Sequence, residues 1–164
     1  NRLKLKNNTM EKTNVMRILD KNKIDYKIYS YVHTDAISGV EVAQALNQNP
    51  ELVFKTLVTV AKSKQHYVFM ITVAKELDLK KASNSVNEKS IEMLKTKDLL
   101  PTTGYIHGGC SPIGMRKSFI TVIDKSVELN PVIIFSAGKI GYQIETTIAE
   151  LQKVLKFMTS DIIL

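Results

Sequence analysis

The apolar positions of the chain switch between helical and extended spacing, and each switch marks an element. Over Thr13–Lys23, Val15, Ile18 and Leu19 recur on one face with Thr13 ahead of them as a cap, which predicts an amphipathic helix. Asp25–Tyr31 alternates, Tyr26, Ile28 and Ser30 against Lys27, Tyr29 and Tyr31, and reads as a strand. Ser38-Gly39-Val40-Glu41 has capping-box spacing and predicts a helix to about Leu46. Asn49-Pro50-Glu51 then opens a short helical turn, since proline is preorganised for a first helical position.

Leu52–Lys62 and His66–Ala74 are β-branched runs separated by Ser63-Lys64-Gln65, the pattern of a hairpin. Asp78 caps a helix carrying Leu79, Ala82 and Val86, and Ser90–Leu100 mixes short helix and strand until Pro101 and Gly104 end it. Tyr105–His107, Phe119–Ile123, Val132–Phe135 and Gly141–Glu145 read as strands. Thr147-x-x-Glu150 repeats the capping-box spacing and starts a last helix through about Phe157. Many strands at hairpin spacing with flanking helices predict an α/β (α+β) fold. Its sheet is expected to be mixed and largely antiparallel rather than doubly wound.

A chain of 164 residues is long enough for one domain with a real core, and neither an internal repeat nor a low-complexity linker divides it. Met10 marks a natural start for the helical pattern. Residues 1–12 are therefore expected to be a flexible tail or tag remnant, and 13–164 the domain. The basic N-terminus is not followed by an apolar stretch, so no secretory signal is expected. Runs such as Tyr67–Ala74 are far too short to cross a bilayer. The single cysteine, Cys110, permits no internal disulfide and suits a reducing cytoplasm.

The net charge of +7 comes mainly from lysine and favours a polyanionic partner, for which RNA is the first candidate. Lysine-rich surfaces also serve solubility, and no arginine cluster or aromatic-rich binding strand accompanies the charge.

Three features carry candidate chemistry. Lys55 lies in a strand whose faces, Val53, Leu57 and Thr59 on one side and Phe54, Thr56, Val58 and Val60 on the other, both read as buried. A lysine there either sends its tip to water at an edge or meets polar substrate atoms in a cleft, because an unpaired buried ammonium is very costly. Gly108-Gly109-Cys110-Ser111-Pro112-Ile113-Gly114 and Ser136-Ala137-Gly138-Lys139-Ile140-Gly141 are tight turns that let backbone N–H groups approach a ligand. Neither has the order of a phosphate-binding P-loop or of a dinucleotide fingerprint. His33, His66 and His107 show no metal spacing with one another or with Cys110, so no metal and no cofactor is expected. Without a G-x-S-x-G elbow, and with Cys110 reading as packing and His107 as structural, no protein nucleophile is visible. Any chemistry rests on positioning, oxyanion stabilisation or a group that the substrate brings.

Four motifs in register resemble the YbaK/EbsC family of freestanding editing domains, similar to the editing insertion of bacterial prolyl-tRNA synthetases. They are Phe54-Lys55-Thr56-Leu57, Leu77-Asp78-Leu79-Lys80-Lys81, Thr103-Gly104-Tyr105 with the glycine turn that follows, and Ser136-x-Gly138-Lys139-x-Gly141. The match runs from about Thr13 to Ile162. The resemblance implies a barrel-like sheet and the removal of cysteine from mischarged proline tRNA, Cys-tRNA(Pro). Aminoacyl-tRNA is then the partner, prolyl-tRNA synthetase a second one, and neither membrane nor DNA is involved. Carried over position by position, Lys55 matches the essential lysine and Tyr31 a substrate-pocket tyrosine. Gly108 matches the glycine whose backbone faces the scissile ester, and Ser136 the pocket serine. Phe54, Thr56, Gly109, Ser111, Ala137 and Gly138 are implied to bind substrate.

The family's suggested mechanism, in which the substrate's own thiolate attacks its ester, suits the missing nucleophile. Ala137, Ile140 and Ser38 depart from residues common in the family, and they bear on fine substrate preference. An alanine-specific deacylase using activated water, and a non-catalytic tRNA- or synthetase-binding module, are the competing readings.

Overall fold

The computed structural model describes residues 11–164, so most of the expected tail lies outside the described residues. Its helices are α1 (Asn14–Lys21), α2 (Gly39–Ala45), α3 (Leu79–Ser85), α4 (Thr96–Thr103) and α5 (Ile148–Gln152). Its strands are β1 (Lys27–Ser30), β2 (Phe54–Ala61), β3 (His66–Thr72), β4 (Ile91–Met93), β5 (Ile120–Asp124), β6 (Ile133–Ser136), β7 (Tyr142–Thr146) and β8 (Met158–Ser160).

The sequence caps act as expected. Thr13 Oγ1 accepts from Met16 N–H, Asp78 accepts from Lys80 and Lys81 N–H, and Thr147 Oγ1 accepts from Glu150 N–H. Ser38 and Glu41 close a reciprocal capping box, with Glu41 N–H on Ser38 Oγ at 3.2 Å and Ser38 N–H on Glu41 Oε1 at 3.1 Å. Each bond satisfies an N–H that the helix itself leaves free. The β2–β3 hairpin turns at Lys64, which takes φ +75°, and Ala61 N–H reaches Gln65 C=O at 2.8 Å.

Two sheets form. One has the order β1-β7-β6 with both ladders antiparallel, and the other has the order β4-β2-β3-β5-β8. In the larger sheet β4-β2-β3 is antiparallel and β3-β5-β8 parallel, so the mixed, largely antiparallel sheet expected from the sequence is present. A parallel bridge between Val53 and Ile134 joins the start of β2 to β6 and curls the two sheets into one barrel-like wall.

The apolar core has three parts that cover both faces of β2 and β3. Val15, Met16 and Leu19 of α1 pack with Phe54, Met70, Ile123, Phe135 and Ile144 between the sheets. Phe69, Ile71 and Val122 bury the opposite face under Ala82 of α3. Ala43 of α2 closes over Val53, Val73 and Ile134 at the joint. Burial on both faces is what the doubly apolar pattern of β2 and β3 requires.

Three expectations are corrected. Tyr105–His107 is no strand: Tyr105 N–H turns back to Thr103 Oγ1 at 3.0 Å and Gly109 N–H to Ile106 C=O at 3.0 Å, so the segment spends its backbone bonds on turns. Pro101 does not end α4, which runs through it to Thr103 and stops where Gly104 takes φ +87°. The last helix ends at Gln152 rather than near Phe157, and β8, unforeseen, follows as a strand beside β5.

Candidate active site

The site grows from a gap in strand pairing. β2 pairs β3 along its whole length. Among the described residues its other edge pairs with β6 only at Val53, just before the strand, and with β4 only at Thr59–Ala61. Leu94 N–H donates to Val58 C=O at 3.0 Å, so the backbone groups of Val58 point toward that edge. Strand backbones alternate direction residue by residue, so Thr56 presents its N–H and C=O to the same edge, within the gap, while Phe54 adjoins the Val53–Ile134 bridge. The gap is the floor of a cleft of about 530 Å³. Phe54, Lys55, Thr56, Leu57 and Val58 line it in succession, as a cleft along an open strand edge demands.

The walls come from elsewhere in the chain. Tyr31, at the end of β1, and Ser136, at the end of β6, contribute one side with Tyr142 and Gln143. Ser38, Gly39 and Val42 bring the start of α2. Met93, Leu94, Thr96 and Leu99 supply an apolar side from β4 and α4, and His107, Gly108 and Cys110 complete the mouth. The residues expected as catalytic, Lys55, Gly108, Ser136 and Tyr31, therefore share one cavity with Phe54 and Thr56.

Gly109, Ser111, Ala137 and Gly138 do not line the cleft; they hold up its walls. A Cβ on Gly109 would lie 3.2 Å from Ile140 N, which presses the two glycine turns together. Ser111 is fully buried and its Oγ accepts from Ile113 N–H at 3.4 Å. Ala137 is buried in the core, and Gly138 N–H donates to Ser136 Oγ at 3.1 Å, fixing the serine. A second groove of about 580 Å³, lined by residues of 112–121 and 154–158, contains none of the expected site residues.

Lys55 sits opposite Ile71 in the β2–β3 ladder and is half-buried. Among the described residues its ammonium meets no carboxylate. Thr56 Oγ1 is buried without a hydrogen-bond partner among the described residues, beneath the surface of the cleft. Gly108 has φ +86°, the left-handed region where a side chain is strained. Among the described residues no acceptor takes its N–H. Burial pushes the Cys110 thiol up to about 12, which keeps it neutral and a poor nucleophile. Among the described residues no cluster of His, Cys, Asp and Glu could hold a metal ion. The cavity can thus offer the Lys55 cation and the Gly108 N–H to an ester. It offers no activated nucleophile of its own.

Sequence reading missed Gln143, and with it Gln48, whose Nε2 donates to Gln143 Oε1 at 2.9 Å. The available signal was a polar residue inside the apolar alternation Tyr142-Gln143-Ile144, facing away from Ile144.

Comparison with known proteins places this fold in a family. The family model described as "Aminoacyl-tRNA editing domain" matches residues 33–154. EbsC of Enterococcus faecalis, whose name describes a Cys-tRNA(Pro)/Cys-tRNA(Cys) deacylase, is 45% identical over 141 residues, spanning 85% of this chain and 86% of that one. A crystal structure described as a trans-editing enzyme for prolyl tRNA synthetase superposes with a TM-score of 0.80 at 20% identity, covering 93% of this chain and 98% of the other. A hypothetical protein matches with a TM-score of 0.82 at 16% identity over 92% and 99% of the two chains. Those two likenesses carry the fold, and the family match carries the class of activity. The chain belongs to the aminoacyl-tRNA editing domain family.

Proposed function

We propose that this protein removes cysteine from mischarged proline tRNA, Cys-tRNA(Pro), acting in trans, with the substrate's own thiolate as the attacking group. The observation that carries the reading is the composition of the cleft. It combines Lys55 and the free Gly108 N–H with a cysteine that burial holds neutral. Such a site orients and stabilises but does not attack. The identity of the relative EbsC supports the amino acid, cysteine.

A free thiol has a pKa of about 8.5, so a useful fraction is thiolate near neutrality. The sulfur attacks the ester carbonyl, the new C–S bond forms as the C–O bond to the ribose breaks, and the ribose oxygen takes up a proton. Water then opens the resulting thiolactone. Holding sulfur and carbonyl in attack geometry supplies roughly 7–11 kcal/mol. Gly108 N–H stabilises the negative charge that develops on the carbonyl oxygen, and Lys55 holds the ester end and the terminal ribose. Tyr31 and Ser136 close the pocket around the aminoacyl group. Requiring a thiol rejects serine and alanine chemically, whereas a pocket alone discriminates one methylene by about 10–200-fold.

Choice of tRNA is assigned to a partner, prolyl-tRNA synthetase, and the cytoplasm is the compartment this implies. The relative's name joins Cys-tRNA(Pro) with Cys-tRNA(Cys), which fits a domain that reads the amino acid more than the tRNA. The test is a deacylation panel of Cys-, Ala- and Ser-charged proline tRNA and Cys-tRNA(Cys), with and without the synthetase. Cysteine is expected to leave far faster than alanine or serine. Equal release of serine and cysteine would overturn the thiol mechanism, and preferential release of alanine would point to activated water.

A further inference from the structure

One polar wall of the cleft plays no part in the mechanism above. Gln143 is only 6% exposed, yet it lines the cavity. It stands opposite Ser136 in the β6–β7 ladder, so the two side chains share a face with Cβ atoms about 4.5–5.5 Å apart. Its Oε1 is tied to Gln48 Nε2 at 2.9 Å, on the segment that follows α2. Among the described residues its own Nε2 donates to nothing, and that nitrogen is not among the buried atoms left without a partner. A side chain this buried that lines a cavity and keeps an accessible, unpartnered donor presents that donor to the cavity.

Gln48 decides which end of the amide faces the cleft. Turned end for end, Gln143 would set its N–H groups against those of Gln48, two sets of donors with no acceptor between them. Turning Gln48 as well would bury its N–H groups in place of the single unpartnered carbonyl oxygen that it buries now. That exchange leaves two donors unmatched in place of one donor and one acceptor, and a buried unmatched N–H is the rarer and costlier kind.

We propose that Gln143 donates an N–H to the sulfur of the bound aminoacyl group, and that Gln48 is the positioning residue that aims it. The inference rests on the functional reading above and names the group that holds the thiolate. A donor beside the sulfur favours the charged form, so it lowers the thiol pKa as well as fixing its direction. It also gives the pocket a reason to prefer a polarisable, chargeable side chain over a methyl group.

The test measures kcat, KM and the pH profile on Cys-tRNA(Pro) for wild type, Gln143→Leu, Gln143→Glu and Gln48→Leu, with thermal melts of each. Gln143→Leu is expected to lose about 10–100-fold in kcat, the range of a hydrogen bond to a charged group. KM should move little, and the rise of rate with pH should shift to more alkaline values. Gln48→Leu should move both readouts the same way by a smaller factor, and it carries the test if the Gln143 variants do not fold. Gln143→Glu keeps the acceptor for Gln48 but puts a negative charge beside the sulfur, so it should fall below the leucine variant. A merely structural role predicts the reverse order and an unmoved pH profile; either result overturns the inference. Wild type inactive on every aminoacyl-tRNA overturns the functional reading and this inference together, whereas active wild type with an unaltered Gln143→Leu overturns the inference alone.

Discussion

Tyr31 N–H donates to Gly141 C=O at 2.8 Å, which ties the end of β1 to the last glycine turn and sets two walls of the cleft against each other. Gly141 can make this approach because it has no side chain. A Cβ there would lie 2.4 Å from Val32 Cγ1, and the residue has φ +103°. Gly141→Ala is therefore expected to cost about 1–3 kcal/mol, the range of a residue forced into a sparsely populated backbone region. The loss is read from urea unfolding. Deacylation should fall further than the unfolded fraction accounts for, because Tyr31 moves with the turn.

Gly108 separates the two effects. Its φ of +86° is unfavourable for alanine, but an added Cβ would meet only Ile140, at 3.6 Å, which is ordinary contact. Gly108→Ala should lose about 1–2 kcal/mol of stability through backbone strain alone. Because alanine held at this φ keeps its N–H where glycine has it, the folded variant should deacylate at close to the wild-type rate. Parallel melts and single-turnover rates check this. A large loss of rate in the folded variant would overturn this reading and show that the added methyl group displaces the N–H or meets the substrate.

Lys55→Ala should remain folded, since the side chain is half-buried and meets no carboxylate among the described residues. Deacylation of Cys-tRNA(Pro) is expected to vanish while the melting temperature stays within a few degrees of wild type. Lys55→Arg should restore little, because the planar guanidinium does not reproduce a compact point charge.

Much of this architecture is legible in the sequence, and the exceptions share a cause. Thr13, Ser38, Asp78 and Thr147 announce their helices because a cap is a local bond between residues two or three apart. β8 could not be read: three residues, Met158–Ser160, become a strand only because β5 lies beside them, more than thirty residues back in the chain. Tyr105–His107 has the composition of a strand but finds no strand partner, and the flanking glycines turn it instead. The cleft has the same non-local origin. Lys55 is conspicuous as a charge in an apolar run, but the opening beside it arises from where β6 stops and β4 begins along β2. Gln48 and Gln143 are ninety-five residues apart, and neither signals the other.

Alkaline pH should destabilise the protein through a defined set of groups. Burial pushes the Cys110 thiol from 9.0 up to about 12. Tyr105 rises from 10.0 to about 12, first through burial and then through the Cys110 charge. Tyr29 and Tyr67 also rise to about 12, through burial and then through hydrogen bonds to Glu145 and Glu88. For each group the unfolded chain loses its proton at lower pH than the folded one. Above the unfolded value the unfolded state therefore binds fewer protons, and stability falls with rising pH until the folded group titrates as well. The decline should begin near pH 9 with Cys110, steepen above pH 10 as the tyrosines join, and flatten near pH 12. Urea unfolding across this window reads the slope directly. Cys110→Ala should remove the first part of the decline and leave the tyrosine part, reduced only by what the Cys110 charge adds at Tyr105. It should also retain deacylase activity, since a thiol held neutral takes no part in the attack. A Cys110→Ala variant that unfolds along the wild-type pH curve would show that the thiol is not the group setting the early decline, and loss of deacylation in a folded variant would return Cys110 to the mechanism.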